Sequence, residues 1–123
     1  MTDYHIPDNI TKIVSRNIYF DFNPDKIKVS SYPSLERILN ILNDEPNASL
    51  QIVGHTDNVG SEENNMLVSE MRSKAILKFL IAKGINPDRI VSEGRGESQP
   101  LVSNDDEFDG REINRRIEFI FRR

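Results

Sequence analysis

The chain contains no cysteine, only two histidines, and no apolar run approaching the roughly 18 residues that a membrane-spanning helix requires. Absence of cysteine excludes disulfides and thiolate chemistry, but it leaves the compartment open, because many exported domains also lack it. His5 and His55 lie far apart in sequence, so no histidine-rich metal site can be assembled either. A basic face is missing as well. The net charge is −4, and basic residues are scattered until the last dozen positions, which argues against a nucleic-acid partner. Arg111, Arg115, Arg116, Arg122 and Arg123 do gather near the end, but alternation along a strand would divide Arg115 and Arg116 between its two faces. Met1–His5 has neither a basic segment nor an apolar one behind it and is no signal peptide. The expectation is a cytosolic protein or a domain cut from a longer exported chain.

Two further signatures are incomplete. Asp105, Glu107, Asp109 and Gly110 imitate positions 1, 3, 5 and 6 of a calcium-binding loop, but Arg116 stands where the bidentate glutamate should be. Gly94-Arg95-Gly96 has no third glycine and no helix pattern after it, so it does not make a dinucleotide loop. No metal or cofactor is expected.

What is present suits one domain. At 123 residues, 37% hydrophobic and 29% charged, the chain can bury a core without staples. Residues 1–17, with Pro7 and few apolar side chains, read as a linker or N-terminal extension, leaving 18–123 as the domain. Ile18, Phe20 and Phe22 alternate with polar residues and predict the first strand. Leu35, Ile38, Leu39 and Leu42 predict a helix over 34–43, stopped by Pro46. Leu50 to Val53 is the second strand. Ser61 caps a long helix that ends at Gly84, Arg89 to Glu93 is a short strand, and Asn114 to Arg122 is the last. The order is β-α-β-α-β-β, which predicts an α+β sandwich with a mixed sheet of about four strands and both helices on one face.

The central stretch is Ile52 to Arg72. A strand there delivers His55, Thr56, Asp57 and Asn58 to its C-terminal lip, beside the N-terminus of the long helix. At 100° per residue from Val68, the apolar Met71, Ala75, Ile76 and Phe79 fall within about 80° on one stripe. Arg72 falls inside that stripe, and Asn65 lies on the same line two turns earlier. An inward-pointing guanidinium needs an anion. Asp57 could supply it within the chain, or Asp57 and Arg72 could form a two-signed clamp for a zwitterion; the two arrangements are compatible. His55 is expected to be a hydrogen-bonded residue at the strand end rather than a ligand contact. Asp21 and Asp57, at the ends of neighbouring strands, would also suit the carboxylate pair of a glycosidase.

Phe20-Asp21-Phe22, Gly54-His55-Thr56-Asp57-Asn58-x-Gly60, Asn65-x-x-x-Ser69-x-x-Arg72, Gly94-x-Gly96-Glu97-x-x-Pro100 and Gly110-Arg111-x-x-Asn114-Arg115-Arg116-Ile117-Glu118-Phe119 stand in order. Together they resemble the OmpA-like C-terminal domain, the peptidoglycan-binding module also found in peptidoglycan-associated lipoproteins and in MotB, over roughly Ile18 to Phe121. Val68 and Ser73 depart mildly, standing where the family usually has leucine and alanine. The resemblance implies a non-catalytic wall anchor in the periplasm, part of an outer-membrane or envelope protein whose membrane segment lies outside this chain. It implies that Asp57 pairs with the ammonium and Arg72 with the carboxylate of diaminopimelate in the peptide stem. By the same resemblance Asn65 lies beside the ligand, Arg115 helps close the pocket, Asp21 and Thr56 line it, and Arg116 faces away. A wall built on lysine or ornithine lacks the carboxylate that Arg72 would hold. Oligomeric state is left open, a homodimer included. The alternatives are a peptidoglycan hydrolase using Asp21 and Asp57, and an envelope protein-interaction domain.

Overall fold

A computed structural model describes residues 9–21, 25–101, 103–104 and 114–123. Among the described residues four strands and two α-helices follow in the order β1 (Ile10–Ser15), α1 (Tyr32–Asp44), β2 (Ser49–His55), α2 (Glu62–Ala82), β3 (Ile90–Gly94) and β4 (Arg116–Arg122). The sheet order is β1-β4-β2-β3, with β4 antiparallel to both neighbours and β2 parallel to β3. The crossovers β1-α1-β2 and β2-α2-β3 both step the same way across the sheet. Taken right-handed, as such crossovers are, they place both helices on one face. Leu35, Ile38 and Leu42 of α1 and Ile76 and Leu80 of α2 accordingly share one core with Leu50, Ile52, Ile117, Phe119 and Phe121.

The first strand is not where alternation predicts it. It occupies residues 10–15, inside the stretch read as linker, and pairs with β4 from Ile10↔Arg122 to Ser15↔Ile117. As an edge strand it buries little: Lys12 and Val14 are exposed and only Ile13 packs against the core, so a count of apolar residues misses it. Residues 18–20 do turn Ile18 and Phe20 inward, as their alternation requires, but their backbone is committed elsewhere. Ser31 Oγ donates to the Tyr19 carbonyl at 3.0 Å and accepts from its N–H at 2.6 Å, and Lys28 N–H donates to the same carbonyl at 2.9 Å. Phe20 is left with a single bridge to Ile27. Phe22 lies outside the described residues.

The rest follows its local signals. Pro33 sits in the first turn of α1, where a missing N–H costs nothing, and Ser61 caps α2 by accepting from Asn64 N–H at 3.1 Å. Gly84, at φ 102°, ends α2 in a conformation that other residues rarely adopt. The deepest line of α2 differs from the predicted stripe: Asn65, Ser69, Ser73, Ala75, Ile76 and Leu80 are buried, whereas Val68 and Met71 are half-buried flanks. Small residues are required there because α2 crosses directly over two strand-end glycines. A Cβ on Gly54 would meet the Ser69 carbonyl oxygen at 2.6 Å, and one on Gly94 would meet Glu70 N and Ser69 Oγ at 2.3 Å.

Candidate binding site

That close crossing sets the site. It locks the first half of α2 onto the C-terminal ends of β2 and β3, and Ser69 Oγ accepts from the Gly96 N–H at 2.9 Å. Arg95 N–H donates to the Gly54 carbonyl at 2.9 Å and Thr56 N–H to the Gly96 carbonyl at 2.8 Å, which carries the pairing of β2 and β3 past their ends. The lip is therefore rigid where Thr56 and Asp57 leave the sheet. Thr56 Oγ1 donates to the Asp57 carbonyl at 2.8 Å, and Asn65 Nδ2 donates to the same carbonyl at 3.3 Å and to Glu97 Oε1 at 3.0 Å. Thr56 and Asn65 thus hold the backbone of the Asp57 loop.

Asp57 is buried, yet both carboxylate oxygens are engaged. Oδ1 accepts from the Val59 N–H at 2.9 Å, an Asx turn, and Oδ2 accepts from Arg115 Nη1 at 2.5 Å. The chain's own cation at Asp57 is therefore Arg115, whose side chain is 49% exposed, and not Arg72. Arg72 is half-buried and makes no ion pair among the described residues. Its Nε is buried without a hydrogen-bond partner among the described residues, and its guanidinium lies over the Phe20 ring, 5.4 Å from the centroid. Burial lowers its pKa from the ordinary value; Asp57 opposes that shift and Arg115 adds to it. Two guanidiniums and one carboxylate therefore converge, with Arg72 the cation that has no ion pair among the described residues. Asp21 is exposed on the turn beyond Phe20, its N–H donating to the Lys26 carbonyl at 2.8 Å.

Arg116 faces the other side of the sheet from Arg115. It is buried there, Nε donating to Glu118 Oε2 at 2.9 Å and Nη2 to the Gln99 carbonyl at 2.9 Å. His55 shares this face. Its Nε2 lies 3.3 Å from Glu118 Oε1 without the alignment of a hydrogen bond, and Nδ1 has no partner among the described residues. Burial lowers the His55 pKa, with Arg116 adding and Glu118 opposing. His55 is thus a buried strand-end residue set against the Arg116–Glu118 ion pair. The incomplete calcium loop at 105–110 lies outside the described residues. Ser69, Gly96 and Glu97, which enter the sequence pattern without a role, fix the loop that carries Asp57; the small residues at 69 and 73 on the inward line of α2 were their signal.

Fold and site define an α+β domain with a carboxylate–guanidinium centre at the lip of its sheet. The chain belongs to the OmpA family, whose model matches residues 19–115. It is 35% identical over 106 residues to outer membrane porin F of Pseudomonas aeruginosa, covering 85% of this chain and 30% of the porin. It is 32% identical over 122 residues to photosystem I P700 chlorophyll a apoprotein A2 of Gloeobacter violaceus, covering 95% of this chain and 14% of that protein. It is 30% identical over 111 residues to the probable lipoprotein YiaD of Escherichia coli, covering 90% of this chain and 50% of the lipoprotein. The chain thus spans at most half the length of these relatives. Among solved structures, a MotB-like protein from Desulfovibrio vulgaris superposes with a TM-score of 0.80 at 25% identity, covering 93% of this chain and 74% of the other. The peptidoglycan-associated lipoprotein of Burkholderia pseudomallei superposes with a TM-score of 0.72 at 23% identity, covering 85% of this chain and 88% of the lipoprotein chain.

Proposed function

We propose that this domain binds peptidoglycan without cleaving it, holding the diamino acid of a peptide stem and so anchoring an envelope protein to the wall from the periplasmic side. The carrying observation is Arg72: a half-buried guanidinium without an ion pair among the described residues, set beside a buried carboxylate whose only ionic partner among them is an exposed arginine. A ligand ammonium would take the place of Arg115 on Asp57, and a ligand carboxylate would fill the unpaired position at Arg72, bidentate if the fork is met squarely. Family membership and relatives named as outer-membrane proteins support the envelope setting. Both oxygens of Asp57 already act as acceptors, which suits holding a cation better than giving a proton to a leaving group.

The test is co-sedimentation with purified insoluble peptidoglycan, using wild type, Asp57→Ala and Arg72→Ala, with circular dichroism to check folding. A hydrogen bond to a charged group contributes about 1.5–3 kcal/mol, so each variant should bind about ten- to a hundredfold more weakly. Equal binding by folded variants removes the clamp. Time-dependent release of soluble muropeptides would favour a hydrolase.

A further inference from the structure

Beside the clamp lies a cavity of about 690 Å³, in the range of small-ligand sites. It wraps the end of β1, between residues 16–20, the first turns of α1 and the start of β4. Ile13, Ile18, Ile38, Ile117 and Phe119 give it an apolar floor. Its charged lining is of one sign: Arg16, Lys28, Arg37, Arg72 and Arg115 face it, Arg116 reaches its rim from the other face of the sheet with its charge met by Glu118, and no aspartate or glutamate lines it among the described residues. In a chain with 20 acidic and 16 basic residues, that segregation is not what a solvated surface of mixed charges gives. Arg16, Lys28 and Arg37, like Arg72, form no ion pair among the described residues. Like charges gathered over an apolar floor repel one another and attract an anion more strongly than they would in open water.

Arg72 and Arg115 belong to both the cavity and the clamp, while Asp57 lines only the clamp. We propose that this cavity is a second anion subsite, in which Arg16, Lys28 and Arg37 receive a further carboxylate or phosphate group of the wall polymer held at Asp57 and Arg72. The inference rests on the clamp reading for its ligand, but the cavity is testable apart from it. Two sources share the chemistry: an acidic residue of the same peptide stem, and a phosphate group of an anionic wall polymer.

The experiment titrates wild type and the double variant Arg16→Gln/Arg37→Gln, both changes at exposed side chains, with three probes followed by NMR chemical shifts. The probes are free diaminopimelate, a stem tripeptide in which a D-glutamyl residue precedes diaminopimelate, and glycerol phosphate. Wild type should prefer the tripeptide to free diaminopimelate by about three- to tenfold, the worth of a few partly exposed charge contacts, and the double variant should lose that margin while binding free diaminopimelate unchanged. Without a tripeptide margin, glycerol phosphate binding that disappears in the double variant assigns the subsite to phosphate. No margin and no phosphate binding overturns the proposal, as does either response surviving in the double variant. Failure of wild type to bind diaminopimelate sinks the clamp reading instead, and the phosphate titration still decides the cavity.

Discussion

A buried imidazole with an unpartnered Nδ1 among the described residues makes His55 sensitive to protons. Lys12, Arg116 and Glu118 of β1 and β4 surround it, and Arg95 follows β3 on the same side. The folded protein lowers the His55 pKa below its ordinary 6.5, so the unfolded chain takes up a proton first as pH falls. Stability must therefore decline from about pH 6.5 downward until the folded-state pKa is passed. Glu118 has its pKa raised by burial, but His55, Lys12 and Arg116 together lower it on balance, so its own contribution is lost only below the ordinary 4.5. Urea midpoints at pH 7.5 and 5.5 should fall together more steeply for wild type than for His55→Gln. An identical fall in both would assign the effect elsewhere. At this scale the sequence named the participants better than their pairings. Arg72 inside an apolar stripe was legible from spacing, but that Asp57 holds Arg115 was not, because both arginines reach the same lip from elements 43 positions apart in number and only the fold decides which is nearer.

The same limit holds for elements. Helix α1 carries a 3.6-residue apolar period and a proline in its first turn, α2 carries a serine cap and a glycine stop, and both were legible within a few positions. Edge strand β1 was not, since half of it faces solvent and its stability comes from a ladder with β4, more than a hundred residues away in sequence. Nor was the depth of α2, which depends on what lies opposite. With Gly54 and Gly94 adjacent in the β2–β3 ladder, the helix backbone rests on the strand ends, and no side chain can be inserted there without moving it. Gly94→Ala should destabilise the fold by about 1–3 kcal/mol or more, read from the urea midpoint, and should weaken wall binding in the fraction still folded because α2 carries Arg72. A variant with unchanged stability and binding would show that the crossing is looser than described.

As a whole, the molecule is a unit that occurs within much longer and dissimilar proteins, a porin, a lipoprotein and a photosystem subunit among them. Its sheet has a direction. β1 and β2 both point towards the lip, so Asp57 lies at one end of the strands and Asn9, where the described chain enters β1, at the other. Arg123 is also at the far end, its N–H donating to the Asn9 carbonyl at 2.8 Å. The sheet consequently resists load differently along its two axes. A pull between a ligand at Asp57 and the chain at Asn9 runs parallel to the strands and loads the β1–β4 hydrogen bonds together in shear, because those bonds lie across the strands. A pull between Asn9 and Arg123 peels the same bonds apart one at a time. Optical-trap handles at Asn9 and Asn58 should give a higher rupture force than handles at Asn9 and Arg123, and equal forces would show that β1 carries no tension. On the proposed reading, the sheet is strongest along the line on which a ligand at Asp57 would pull.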